Sequence, residues 1–183
     1  MIKKLFYKEN KNFLSKKNIQ FINNTVLTPV FPFYLGNAFL DTRELIPVMG
    51  HTVLNRLEKY HLKECINSPH YDETVDILNN FCKSINEKPN FYTRIAYNLT
   101  FNNGLEKSHT HVDHDNFNHK QIIIYLNDCD KESSTCIVDK KDRNKVIKTI
   151  KPEKNKGICF FSFPHYMIFP KSGLRIILVA TYI

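Results

Sequence analysis

The sequence predicts a mainly β protein with N-terminal α-helices, whose second half closes into a jelly roll. Three observations predict this. Helical periodicity is confined to the first half of the chain. From Phe91 onward the apolar period falls to two, and the strand-like runs that follow are divided by turn-like segments with no helix between them. Many short strands arranged in this way build a sandwich or a jelly roll.

The elements follow in order. A short helix is expected over residues 15–24 and another over 45–60, with Leu54 and Leu57 on one side. The clearest helix covers 71–85, where Tyr71, Val75, Leu78, Cys82 and Ile85 recur at helical spacing. Asp72 and Glu73 suit the positive end of its dipole, and Pro89 closes it. In FYTRIAYNLTF the odd positions Phe91, Ile95, Tyr97, Leu99 and Phe101 are apolar, while Arg94, Asn98 and Thr100 fall on the other face. The runs QIIIYL, STCIV, KVIKTI, GICFFSF and LRIILVATYI complete the strands. No repeat or linker interrupts the chain. One domain is therefore expected over 1–183, with helical support and first strands in 1–90 and the jelly-roll core with the metal site in 91–183.

Composition excludes several function classes. At 183 residues the chain can bury a real core but is short for two domains. Its five glycines, Gly36, Gly50, Gly104, Gly157 and Gly173, are never two or five apart, so neither Gly-rich phosphate-binding loop can form. The net charge of +8 comes mainly from scattered lysines, denser over 3–17 and 140–156, and is read as a solvated face rather than a nucleic-acid groove. The cysteines, Cys65, Cys82, Cys129, Cys136 and Cys159, are odd in number and form no Cys-x-x-Cys pair. Five free thiols in a reducing compartment are expected. MIKKLFYKENKN lacks the apolar core of a signal peptide, and Asn and Pro interrupt the uncharged stretch 18–40, which rules it out as a membrane span.

Chemistry concentrates in SHTHVDHDNFNH, which holds His109, His111, His114 and His119 interleaved with Asp113 and Asp115. Imidazole beside carboxylate is metal-ligand chemistry. Read as HxHxDH, His109, His111, Asp113 and His114 match the motif of metallo-β-lactamase-fold hydrolases, which bind two metals. That fold needs a hydrophobic strand leading into the motif, and here FNNGLEKS leads in. It also needs further downstream ligands, and after His119 only His165 is left. Read as HxD, His111 and Asp113 would share one side of a strand, with His165 as the distant third ligand. Two His and one carboxylate on one face of an octahedron leave three positions open, as in non-haem Fe(II) oxygen chemistry. Arg175 lies ten residues past His165 inside an apolar strand and needs an anionic partner, a protein carboxylate or solvent being the bland alternatives.

HxD at His111 and Asp113, a distal His165 and Arg175, in this order, resemble the 2-oxoglutarate/Fe(II)-dependent oxygenases. RIAYN, HVD, IIYLND, KPEKNKGICFFSFPH and RIILVATY are similar to the prolyl-hydroxylase-like branch and to small phage and bacterial members. The likeness covers residues 91–183, with a weaker echo in FPFYLG, GHTVLN and SPHYDETVDILNNF. It implies a double-stranded β-helix of the cupin-like kind. It also implies that His111, Asp113 and His165 bind Fe(II), that Arg175 pairs with the distal carboxylate of 2-oxoglutarate, and that Tyr125 hydrogen-bonds the same group. Asn98 is a further co-substrate candidate and Tyr97 its rival on the opposite side of the strand. His109, His114 and His119 receive no role, and surface or substrate-rim positions are expected for them rather than metal ligation.

The implied activity is dioxygenase hydroxylation of an unactivated C–H bond using O2, with ascorbate as a supporting reductant. A protein side chain such as proline, a small metabolite and a nucleobase all fit as substrate. No membrane partner is expected, and the location is cytoplasmic (host cytoplasm if virus-encoded). A non-catalytic jelly-roll binding module is the other alternative. Where relatives carry Gly-Gly after YLN, this chain has KESSTCIV, with Ser133 and Ser134 in that place.

Overall fold

The computed structural model describes residues 5–37, 47–56 and 65–183. Strand β1 (Tyr7–Asn10) leads to helix α1 (Lys16–Phe21), which runs on as a π-helical turn, Ile22–Val26. Ser15 caps α1 in a reciprocal box: its hydroxyl accepts from Asn18 N–H, while the Asn18 side chain accepts from Ser15 N–H. Then come β2 (Tyr34–Asn37), β3 (Pro47–Leu54), helix α2 (Tyr71–Ser84), β4 (Tyr92–Phe101), β5 (Lys120–Tyr125), β6 (Ser134–Val138), β7 (Val146–Ile150), β8 (Gly157–Phe161), β9 (His165–Ile168) and β10 (Leu174–Tyr182).

Two antiparallel sheets result. The larger has the order β1-β8-β5-β10-β4-β3-β2 and the smaller the order β7-β6-β9. The central strands of the larger sheet are buried on both faces. Toward the helices, Ile95, Tyr97, Ile122, Ile124, Leu178 and Tyr182 pack with Ile77, Leu78 and Phe81 of α2. Toward the smaller sheet, Ala96, Ile123, Tyr125, Phe160, Ile177 and Val179 meet Ile137 and Ile150. Period-two alternation in β4, β5 and β10 divides these sets. Gly157 lets α2 sit close, because a Cβ there would fall 2.5 Å from the Phe81 ring.

The helix expected over 45–60 is corrected for its described part. Residues 47–54 form β3, paired with β2 and β4, and 45–46 and 57–60 lie outside the described residues. Leu54 and Leu57 suggested a helical face, but Val48, Thr52 and Val53 are β-branched and Gly50 is a poor helix former. Pairing with β4 decided the outcome. Strands β1 and β2, four residues each, had no alternation long enough to read.

Candidate metal centre

His111, Asp113 and His165 each bring a ligand atom to within 4.8 Å of one another, and among the described residues no other such group forms. His165 opens β9 and is the buried residue of that strand, set inward between the sheets. Paired backbone bonds lock His111 to it, His111 N–H to His165 C=O at 3.0 Å and the reverse at 2.9 Å. Asp113 is a correction, since it lies in a bend beyond this single bridge rather than on a strand. Convergence with His111 therefore comes from the loop's course and not from strand alternation.

The imidazoles are set for a metal. Each Nδ1 faces the carbonyl two residues back, His111 to His109 at 3.1 Å and His165 to Phe163 at 3.1 Å. Such bonds make Nδ1 the protonated nitrogen and leave Nε2 as the lone-pair donor. Burial pushes His165 down to about 4, with His111 adding to the effect and Asp113 opposing it, so the ring is neutral at pH 7. Asp113 is charged: burial raises its carboxyl, but Arg94 foremost, with His165, His111 and Arg56, holds it below the usual carboxylate range. Its Oδ1 accepts from Arg94 at 2.9 Å, whereas Oδ2 is buried without a hydrogen-bond partner, 3.7 Å from His165 Nε2. A bare carboxylate oxygen between two imidazole lone pairs fits a divalent cation.

Arg175 is 3 % exposed on the inner face of β10. Its Nη2 donates to Thr135 Oγ1 at 2.8 Å, Nη1 points at Met167 Sδ, and Nε has no partner. Among the described residues no carboxylate pairs with it. Tyr125 OH donates to the same Thr135 oxygen at 2.8 Å. Met167 connects the two parts of the site, two residues beyond His165 on β9 and so roughly 7 Å along the strand. Asn98 falls on the same face of β4 as Ala96, and Tyr97 faces the helices, bonded to Thr74. Thr135 and Met167 escaped the sequence reading; nothing marks them within ordinary strand runs.

The other histidines divide. His109 is exposed. His114 and His119 are both buried: His114 bonds Thr181 at 2.8 Å and lines the cavity beside the loop, while His119, corrected from the surface or rim, packs on Ser162 at 3.2 Å. These hydroxyls make burial of the rings affordable, and neither His109 nor His114 joins the converging group. Beside the loop a cavity of about 340 Å³ is lined by Val112, His114, Asp115, Phe117, Lys140 and Ser162, among others.

No family model and no curated protein matches the chain. Solved structures do. A 2OG-Fe(II) oxygenase family oxidoreductase from Burkholderia pseudomallei is 13 % identical over 82 % of this chain and 72 % of its own, with a TM-score of 0.63. A Trichoplax adhaerens prolyl hydroxylase, solved with a hypoxia inducible factor peptide, is 16 % identical over 96 % and 82 %, with a TM-score of 0.63. A viral collagen prolyl hydroxylase from Paramecium Bursaria Chlorella virus-1, in a 2OG complex, is 14 % identical over 96 % and 94 %, with a TM-score of 0.56. The chain has the jelly-roll fold of the 2-oxoglutarate/Fe(II) oxygenases, prolyl hydroxylases among them. No helix among the described residues is long and apolar enough to cross a membrane.

Proposed function

We propose that the protein is an Fe(II)/2-oxoglutarate-dependent dioxygenase that hydroxylates an unactivated C–H bond of a protein side chain, small metabolite or nucleobase. One observation carries this reading. A metal-ready His-Asp-His group shares the sheet interior with a buried arginine whose Nε is unpartnered. A metal site alone would fit many enzymes; the added cation asks for a ligand with a carboxylate at its far end. When bound, Fe(II) with 2-oxoglutarate supplies O2 activation and oxidative decarboxylation to succinate and CO2.

The chain's own residues do the rest. His111, Asp113 and His165 would hold the cation, as two imidazoles and one carboxylate suited to Fe(II). Arg175 takes the distal carboxylate, and the Tyr125–Thr135 pair fixes one arm of the guanidinium. Ile123, Ile177, Val179 and Ile137 exclude water from the interior, which strengthens that charge pairing. The cavity at Val112, between two of the proposed ligands, is where the substrate would enter. The five cysteines, all free thiols, suit a reducing compartment.

The test has two readouts. Calorimetric titration of 2-oxoglutarate into anaerobic, Mn(II)-loaded protein should show binding, and succinate should form under air with Fe(II) and ascorbate. His165→Ala should lose both. Metal binding without 2-oxoglutarate binding would overturn the reading and return the protein to the class of metal-binding jelly rolls.

A further inference from the structure

Arg94 and Arg56 hold Asp113 in a manner that the metal ligands alone do not require. The carboxylate is 4 % exposed and its two oxygens are treated differently. Arg94 Nη1 donates to Oδ1 at 2.9 Å, and Arg56 Nη2 stands 3.6 Å from the same oxygen. Arg56 Nη1 also donates to the Asp113 main-chain carbonyl. Oδ2, which faces His165, receives nothing.

The sheet supplies this arrangement through a bulge. Thr181 pairs with Arg94 and Tyr182 with Tyr92, so Thr93 is an extra residue in β4. A bulge re-aims side chains, and here it turns two consecutive ones toward the loop. Thr93 reaches His114 Nε2 at 3.4 Å and Thr181 at 2.7 Å, while Arg94 reaches Asp113. Two neighbouring strand residues thus pin two neighbouring loop residues. Asp113 sits in a bend, and its carboxylate takes its orientation from the guanidinium.

We propose that Arg94 is a positioning residue that occupies Oδ1 of Asp113, so that the carboxylate offers the metal one oxygen and keeps a coordination position open for the 2-oxo acid. The proposal rests on the oxygenase reading above. A carboxylate can ligate through one oxygen or two, and a charge-assisted bond to one oxygen opposes the two-oxygen mode. Losing Arg94 frees Oδ1 and removes a cation that repels the metal. Both changes favour the metal and disfavour the co-substrate. A residue that merely built the loop would weaken the metal instead, so the two roles predict opposite signs. Arg56 on the carbonyl and Thr93 on His114 keep the loop in place without Arg94.

The experiment compares wild type, Arg94→Met and Arg94→Lys, each checked for folding by circular dichroism. Free Mn(II) is followed by electron paramagnetic resonance during titration, and 2-oxoglutarate is then titrated calorimetrically into the Mn(II)-loaded, anaerobic protein. Arg94→Met should bind Mn(II) at least as tightly as wild type and 2-oxoglutarate about tenfold or more weakly. Arg94→Lys should fall between, and it carries the test if the methionine variant does not fold. Weaker Mn(II) binding by Arg94→Met, or unchanged 2-oxoglutarate affinity, overturns the proposal. Wild type that binds Mn(II) but no 2-oxoglutarate overturns the oxygenase reading and the Arg94 proposal with it, whereas wild type that binds both while Arg94→Met loses Mn(II) affinity overturns the Arg94 proposal alone.

Discussion

The two faces of β10 are built from alternating residues of one strand and serve different ends. Ile176, Leu178, Ala180 and Tyr182 face the helices in a continuous apolar layer. Arg175, Ile177, Val179 and Thr181 face the smaller sheet, and the apolar pair is bracketed by a cation and a hydroxyl. Strand β4 repeats the division, with Ile95, Tyr97 and Leu99 against Arg94, Ala96 and Asn98. The helix-side face holds the sheet to α2, and the inner face carries polar groups that it leaves incompletely satisfied. Residues that touch along one strand can therefore differ completely in what they do for the protein.

Truncations on the two faces should separate stability from binding. Phe81 of α2 is fully buried and makes an edge contact with Phe13, ring centroids 5.0 Å apart. Phe81→Ala should cost about 3–5 kcal/mol. Chemical denaturation measures this, and Mn(II) affinity per folded molecule should be unchanged. Arg175→Ala should do the reverse. Losing a buried charge-assisted pair costs about 2–5 kcal/mol of 2-oxoglutarate binding, roughly thirty- to several-thousand-fold. Stability should barely fall, because the arginine's Nε is buried without a partner in the free protein. Unchanged 2-oxoglutarate affinity in folded Arg175→Ala would make the arginine structural and erase the contrast.

How much of this was legible depends on how local each signal is. The alternation in β4 is a property of consecutive residues, so its two faces could be assigned from the chain itself, whereas β10 is apolar on both faces and only its arginine stood out. The HxD spacing, the distal His165 and the arginine in an apolar strand were legible for the same reason. Thr135 and Met167 were not, since a threonine or methionine in a strand acquires a role only from what lies across the sandwich. Arg94 could be placed on the polar face, but its meeting with Asp113 depends on a bulge that no residue pattern announces. Burial of His114 and His119 was not legible, because their loop is polar and Thr181 and Ser162, which satisfy them, are distant in sequence.

Two smaller effects sharpen the comparison. Gly157→Ala adds a methyl on the helix side against the Phe81 ring, which is locked in the core. Overpacking of this kind costs about 1–3 kcal/mol, read as a lower Tm. Metal and 2-oxoglutarate binding should stay at wild-type values; a loss would show that the faces are coupled through β8. Acid should weaken both faces together. Burial lowers His51 on the helix side and His119 and His165 on the inner face from their ordinary 6.5. The unfolded chain therefore takes up these protons first, so stability is full above pH 6.5 and declines as pH falls toward the folded values. A Tm of the metal-free protein that stays level or rises on acidification through this range would contradict the neutral, buried histidines.

The smallest expected change lies where the inner face meets the co-substrate arginine. Tyr125 OH donates to Thr135 Oγ1 at 2.8 Å, and Arg175 Nη2 donates to the same oxygen at 2.8 Å. The threonine oxygen thus accepts twice and holds the guanidinium against the Tyr125 ring, 5.5 Å from its centroid. Tyr125→Phe keeps the ring and Arg175, and removes one hydrogen bond. The remaining donor still satisfies Thr135, so no buried acceptor is stranded and stability should change little. The arginine loses part of its alignment, and 2-oxoglutarate affinity should fall by about 0.5–1.5 kcal/mol, roughly two- to tenfold. Thr135→Val tests the same link from the other side: it removes the shared acceptor, strands Arg175 Nη2 and should cost more than Tyr125→Phe. Calorimetry on the Mn(II)-loaded variants measures both. If Tyr125→Phe proves the more damaging, the phenol must contact the ligand itself, and Thr135 is not the route by which it acts.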